Sequence, residues 1–302
     1  MRHFLIFVIP LADRRSSSMA SLTTKSGRVL PPLFYGTAWK KTETTALVGL
    51  ALQCGFRAFD TACQPKHYRE DLVGDAIAQA RHIPREDLFF QTKFTPVNGQ
   101  DRATIPYDPE ASIEDQVRQS FAVSLKNLRT NYIDAVLLHS PAPIDETVTI
   151  FNVLNEFKQM GQVRHLGISN IYSLSALQDI MSRLPPSTVQ IVQNRLHNQT
   201  MYDVGIRMLC QSAGMVYQSF WTLTANPQIW SAGEVGAAAK RIGASRECTF
   251  YRYCMQDGIT VLDGTTKEKH MKEDLAVATE DRFELTNEEM KQIQAVLMRP
   301  AF

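Results

Sequence analysis

Several signatures that would declare a function early are missing. No G-x-G-x-x-G follows a strand and no G-x-x-x-x-G-K-[ST] occurs, which excludes two familiar phosphate-cradling loops. No H-E-x-x-H and no cluster of metal ligands is present, so no metal is expected. The five cysteines are Cys54, Cys63, Cys210, Cys248 and Cys254, odd in number and without a C-x-x-C pair. That excludes a disulfide framework or zinc knuckle and fits reduced thiols in a cytoplasmic protein. Charge of one sign is also lacking. Lys and Arg total 32 against 31 Asp and Glu, a net charge of +1, so no basic excess exists to neutralise a nucleic acid. The longest strongly apolar run, Phe4 to Ala12, is nine residues broken by Pro10. A bilayer span needs about 20, so no membrane helix is expected.

What remains is a globular composition, 44% hydrophobic and 21% charged over 302 residues. That length suits two ordinary domains or one large barrel. The first residues stand apart. Met1-Arg2-His3 and the apolar run imitate a signal peptide, but Asp13 to Ser18 is a poor cleavage site, and Met19-Ala20-Ser21 reads as a second start. Residues 1–24 are therefore taken as a disordered extension or a mis-assigned start, and 25–302 as the folded unit.

Short β-rich runs recur through that unit, at 33–36, 57–60, 88–93, 135–139, 163–169, 188–193, 214–217 and 258–262. They are continuously apolar, as strands buried on both faces are. Amphipathic stretches lie between them. Ile113, Val117, Phe121, Leu125 and Leu128 share one helical face, as do Leu72, Val73, Ala76 and Ile77. Residues 46–54, 150–160 and 287–297 also read as helices. Strand and helix in turn imply parallel pairing, and eight units imply a single-domain α/β fold, a (β/α)8 TIM barrel. An open doubly wound sheet is the alternative, disfavoured by the missing glycine-rich turn.

A barrel of this type carries its site at the C-terminal strand ends. Polar residues interrupt the apolar runs there. Asp60, Lys93 and His139 end three consecutive strands, Ser169 and Asn170 follow the fifth, Gln193 ends the sixth and Tyr217 the seventh. Each alone has a bland explanation as a cap, an ion pair or a packed histidine. Three on neighbouring strands converge on one pocket.

These fragments carry a resemblance. Gly55-Phe56-Arg57-Ala58-Phe59-Asp60-Thr61-Ala62, then Tyr68, Val73-Gly74, Thr92-Lys93, Leu137-Leu138-His139, Gly167-Ile168-Ser169-Asn170 and Gln193-Asn194 resemble, in order, the landmarks of the aldo-keto reductases. The resemblance covers about 31–274. It implies NAD(P)H-dependent reduction of an aldehyde or ketone, a small-molecule carbonyl substrate. Tyr68 would be the general acid, with Lys93 lowering its pKa, Asp60 holding Lys93, and His139 orienting the substrate oxygen. Ser169, Asn170 and Gln193 would hold the nicotinamide carboxamide, and Tyr217 would stack on its ring. Trp39, after Gly36-Thr37-Ala38, would line the substrate pocket.

The sequence also departs from the family pattern. Asp60 and Tyr68 are eight apart, an interval lengthened around Gln64-Pro65-Lys66-His67, and the adjacent His67 would be the substitute acid if Tyr68 did not reach Lys93. The segment that reads Ile-Pro-Lys-Ser in the family reads Leu262-Asp263-Gly264-Thr265, with His270 where an Arg falls and Asp274 at the usual Asn. Gly264, Thr265, His270 and Asp274 would bind the nucleotide phosphate end, helped by Lys267, Lys269 and Lys272. NADPH is the expected cofactor, with NADH open. Phe94 to Ala111 is a long loop that would shape substrate choice. The short tail implies an open pocket.

Two rival readings stand beside the reductase. A non-catalytic barrel would bind nicotinamide nucleotide as a regulatory or redox-sensing subunit. A lyase would use Lys93 as a Schiff-base nucleophile, which a charged Asp60 opposes. No exposed apolar stripe demands a protein partner, and the oligomeric state is open.

Overall fold

The computed structural model describes residues 22–23 and 29–299. The extension expected over 1–24 lies outside the described residues, except for Leu22–Thr23. Those two form β1 and pair antiparallel with β2, Val29–Leu30.

Eight parallel strands close a barrel. They are β3 (Leu33–Gly36), β4 (Ala58–Asp60), β5 (Phe89–Phe94), β6 (Ile133–Leu138), β7 (Val163–Ser169), β8 (Ile191–Arg195), β9 (Val216–Phe220) and β10 (Ile259–Asp263). The order runs β3 to β10 in sequence, and β10 closes onto β3. Each overlaps a run read from the sequence, though β8 and β9 extend past Gln193 and Tyr217, which were expected to end them, and the fold is a (β/α)8 barrel. The strands are buried on both faces, β6 along its whole length.

Side chains on a strand alternate between its faces. Phe34, Ala58, Phe89, Ala135, Leu137, Ile191, Val216 and Leu262 fill the barrel interior. Their neighbours face the helices: Tyr35, Phe59, Phe90, Val136, Val192, Tyr217 and Val261. This alternation decides which strand-end residues reach the mouth.

The covering helices are α1 (Thr44–Cys54), α2 (Glu70–Gln79), α3 (Ile113–Asn127), α4 (Ile144–Gln159), α5 (Leu174–Arg183) and α6 (Val204–Ala213). Ser112 caps α3 by accepting from the Asp115 N–H, and Ser173 caps α5 in the same way. Gly74 in α2 is required by a close approach, since a Cβ there would lie 1.9 Å from the Asn127 carbonyl oxygen.

The strict alternation expected of the sequence breaks after β9. Three helices follow it: α7 (Pro227–Trp230), α8 (Gly233–Ile242) and α9 (Arg246–Gln256). Pro227 opens α7, Gly243 ends α8 with φ 69°, and Ser245 caps α9. After β10 come α10 (Glu268–Thr279) and α11 (Asn287–Leu297), the latter opened by a Thr286–Glu289 capping box. α11 packs against α7 and α8, and none of its residues lines the cavity described next.

Candidate active site

A cavity of about 1420 Å³ opens at the C-terminal strand ends. Asp60, Tyr68, His139, Ser169, Asn170, Gln193, Gly264, Thr265, His270, Asp274 and Trp39 all line it. Lys93 lies beneath, fully buried, with its Nζ 2.6 Å from Asp60 Oδ2 and donating to the Thr61 carbonyl at 2.9 Å.

Asp60 is enclosed by donors. Its Oδ1 accepts from Gln91 Nε2 at 2.7 Å and from Gln193 Nε2 at 2.9 Å. Gln218 joins this ring, accepting from Gln91 at 2.8 Å and from Gln193 at 3.0 Å. A desolvated carboxylate survives only with such charge-assisted bonds. Burial pushes the Lys93 pKa down, and Asp60 opposes that shift.

The lengthened Asp60–Tyr68 interval is taken up by a turn. The backbone N–H groups of His67 and Tyr68 both donate to the Gln64 carbonyl, at 3.2 and 3.0 Å. This carries the Tyr68 ring centre to 5.2 Å from Lys93 Nζ and 5.9 Å from the His139 ring. One expectation needs correction. Burial and then the Asp60 charge raise the Tyr68 pKa above its ordinary value of 10.0, where lowering by Lys93 was expected. The Lys93 charge is neutralised at close range by Asp60, and both groups sit out of water. Tyr68 therefore carries its proton at neutral pH.

His139 is held by the loop after β5. Its Nδ1 lies 2.7 Å from Thr95 Oγ1. Thr95 is fixed in turn through its carbonyl, which accepts from Tyr107 Oη at 2.7 Å and Gln100 Nε2 at 3.3 Å. Burial, then the charges of Lys93 and His67, push the His139 pKa down to about 3. The ring is neutral. We assign Thr95 Oγ1 as the donor to Nδ1 and the ring proton to Nε2.

The amide cluster is partly committed to the protein. Ser169 Oγ donates to the Gln193 carbonyl at 2.8 Å, and Asn170 Nδ2 donates to the His139 carbonyl at 2.9 Å. Both Gln193 Nε2 protons serve Asp60 and Gln218, which leaves Oε1 toward Ser169 at 3.4 Å. Asn170 sits at φ 56°, a left-handed conformation that asparagine tolerates.

Tyr217 is not where the sequence reading put it. Val216 faces inward, so Tyr217 faces outward, and its hydroxyl donates to Asp203 Oδ2 at 2.9 Å behind the sheet. It does not line the cavity; Phe220 and Trp221 do. Strand alternation was the available signal.

At the far end, Gly264 and Thr265 precede α10, and Thr265 Oγ1 lies 3.4 Å from His270 Nδ1. Asp263 and Asp274 meet here, both buried and both with carboxyl pKa values raised by burial. Asp263 Oδ1 accepts from the Thr265 N–H at 2.8 Å, and Asp274 Oδ1 accepts from Cys248 Sγ at 3.3 Å. Lys40 approaches from β3 and donates to the Gly264 carbonyl. Lys269 lines the wall but pairs with Glu273 at 3.7 Å. At the near end Trp39 is 57% exposed and stacks on His67 with ring centres 3.8 Å apart.

Gln91, Gln218 and Thr95 were missed by sequence reasoning. Gln91 is buried mid-strand among apolar residues, which was a signal. Thr95 lies in a loop and gave none.

The fold and this cluster define a parallel barrel with a buried ammonium–carboxylate pair under a phenol and an imidazole. The family model for the aldo/keto reductase family matches residues 32–225. The chain is 26% identical to NADPH-dependent codeinone reductase 1-4 of Papaver somniferum, over 93% of this chain and 90% of that one. It is 29% identical to an uncharacterized oxidoreductase of Schizosaccharomyces pombe, over 85% of this chain and 86% of that one. An aldo-keto reductase from a Medee basin deep-sea metagenome superimposes with a TM-score of 0.78 at 23% identity, covering 93% of this chain and 97% of that one. The chain belongs to the aldo/keto reductase family. Among the described residues, no helix is long and apolar enough to cross a membrane.

Proposed function

We propose that the chain reduces an aldehyde or ketone to the alcohol with NADPH. The observation that carries this is the buried Lys93–Asp60 pair directly below the Tyr68 and His139 rings at the cavity floor. When bound, the reduced nicotinamide supplies a hydride to the carbonyl carbon. Negative charge then develops on the carbonyl oxygen. Tyr68 gives that oxygen its proton, and His139 Nε2–H donates a hydrogen bond that orients it. Lys93, held by Asp60, fixes the pocket floor with its Nζ 5.2 Å from the Tyr68 ring centre. The raised pKa makes the resting phenol a weaker acid, and the negative charge developing on the substrate oxygen is what draws its proton.

The residues present fit a nicotinamide dinucleotide unevenly. Ser169, Asn170 and Gln193 offer hydroxyl and amide groups suited to a carboxamide. Gly264, Thr265 and His270 stand at the start of α10, where backbone N–H groups favour an anion. Asp263 and Asp274 oppose a 2′-phosphate in the same wall. NADPH is favoured by the codeinone reductases, and the acidic pair keeps NADH in the test.

The test follows loss of reduced-nicotinamide absorbance over a panel of aldehydes and ketones, with NADPH and NADH in parallel. Turnover with at least one carbonyl is expected. Tight nucleotide binding without turnover on any carbonyl would favour the non-catalytic reading instead.

A further inference from the structure

Arg195 occupies a position that the proposed chemistry leaves unused. It lies two residues beyond Gln193 on β8, so both side chains take the inner face of the strand. Two residues advance a strand by about 6.6 Å. Arg195 therefore stands one layer nearer the mouth than the amide bonded to Asp60. The register repeats this on β9, with Gln193 opposite Gln218 and Arg195 opposite Phe220. One layer holds amides and a carboxylate; the next holds a guanidinium and aromatic rings.

The guanidinium is pre-set. Its central carbon lies 4.5 Å from the centre of the Trp221 ring, and both residues line the cavity. Trp221 is 47% exposed and sits at φ 54°, a conformation costly for a tryptophan. The contact with the Trp221 ring holds the guanidinium at the cavity wall. Arg195 Nε is buried and reaches no acceptor. Among the described residues no carboxylate pairs with Arg195. Asp203 is close in sequence but serves the opposite face of β8, where its Oδ2 accepts from Asn194 at 2.7 Å and from Tyr217 at 2.9 Å. A buried Nε–H without an acceptor is a cost that a bound anion removes.

We infer that Arg195 is an oxyanion-binding residue in the layer above the reacting centre, stacked on Trp221 and receiving a phosphate or carboxylate oxygen from a bound ligand. This rests on the nicotinamide–carbonyl reading of the cavity. Two ligands supply such an oxygen there: the diphosphate of the dinucleotide, or a carboxylate on the carbonyl substrate.

Two arms separate them, each comparing wild type with Arg195→Gln and Arg195→Lys. The first measures Kd for NADPH and NADH by calorimetry. The second measures KM for 4-carboxybenzaldehyde against benzaldehyde. A rise of tenfold or more in both nucleotide Kd values for Arg195→Gln supports the inference with the diphosphate as source. Unchanged Kd values with a tenfold rise in KM for the carboxylate alone support it with the substrate as source. Arg195→Lys keeps the charge but not the planar fork, and a smaller loss in the same arm is expected. If Arg195→Gln does not fold, Arg195→Lys carries the test, with at least a threefold change expected in one arm. Values within twofold of wild type in both arms overturn the inference. A wild type that binds neither nucleotide contradicts the proposed function instead.

Discussion

Lys93 and Asp60 form an ion pair with 1% and 4% of their side chains exposed, joined at 2.6 Å between the ends of β5 and β4. Each charge is buried only because the other is present. Removing one partner from such a pair costs about 3–5 kcal/mol, while replacing both by shape-matched neutral groups costs far less. Asp60→Asn and Lys93→Ala are each expected to lose stability on that scale in urea denaturation. Asp60→Asn combined with Lys93→Met is expected to recover much of it while remaining inactive.

His139 gives a pH prediction with a definite sign. Its folded pKa of about 3 lies below the ordinary 6.5, so the unfolded chain binds the extra proton first as pH falls. Stability from this group is complete above about pH 6.5 and is lost toward pH 3. His67 and His197 are shifted the same way. Melting temperature is expected to fall through this window, and less steeply in His139→Phe. The kcat profile of the wild type is expected to show no histidine inflection near pH 6.5.

Asp263 and Asp274 are shifted the other way. Burial raises both, and Asp263 raises Asp274 further. A raised carboxyl pKa stabilises the fold at low pH, and that stabilisation is lost as pH rises through the folded value. The pair faces the Thr265 N–H, Cys248, Lys40, Tyr251 and Tyr35, with Glu273 nearby. Asp274→Asn is expected to flatten the decline in melting temperature between about pH 3.8 and pH 8. Above about pH 8, where Asp274 is ionised, it is also expected to tighten NADPH binding severalfold more than NADH binding, because only NADPH brings a 2′-phosphate to this wall.

Tyr217→Phe tests the revised place of that residue. The hydroxyl serves buried Asp203 behind the sheet, and losing a bond to a buried charged group costs about 1–3 kcal/mol. Lower stability with unchanged nucleotide Kd is expected. A selective loss of nucleotide binding would return Tyr217 to the cofactor site.

The barrel was legible because doubly buried strands and amphipathic helices leave a strong periodic signal, and all eight strands overlap the apolar runs, with β8 and β9 displaced toward the C-terminus. Asp60, Lys93 and His139 were legible as polar endings of those runs. The direction of the Tyr68 pKa shift was not, because it depends on how completely Asp60 neutralises Lys93 in a dry site. Tyr217 was misread through its place in the family pattern, although the inward Val216 beside it fixes its face. The meeting of Asp263 with Asp274 was hidden by ten residues of intervening chain, closed only by the turn into α10. Helices α7 and α8 broke an assumed regularity that no rule of barrel closure enforces.

The most direct test of the account is the rate of NADPH consumption with a reactive aldehyde by wild type and Tyr68→Phe, with nucleotide Kd measured on both. General acids contribute roughly 10²–10⁴-fold. The account predicts a fall of that size in kcat/KM with Kd unchanged within twofold. A Tyr68→Phe variant that retains wild-type turnover would contradict it and transfer the proton donor to His67.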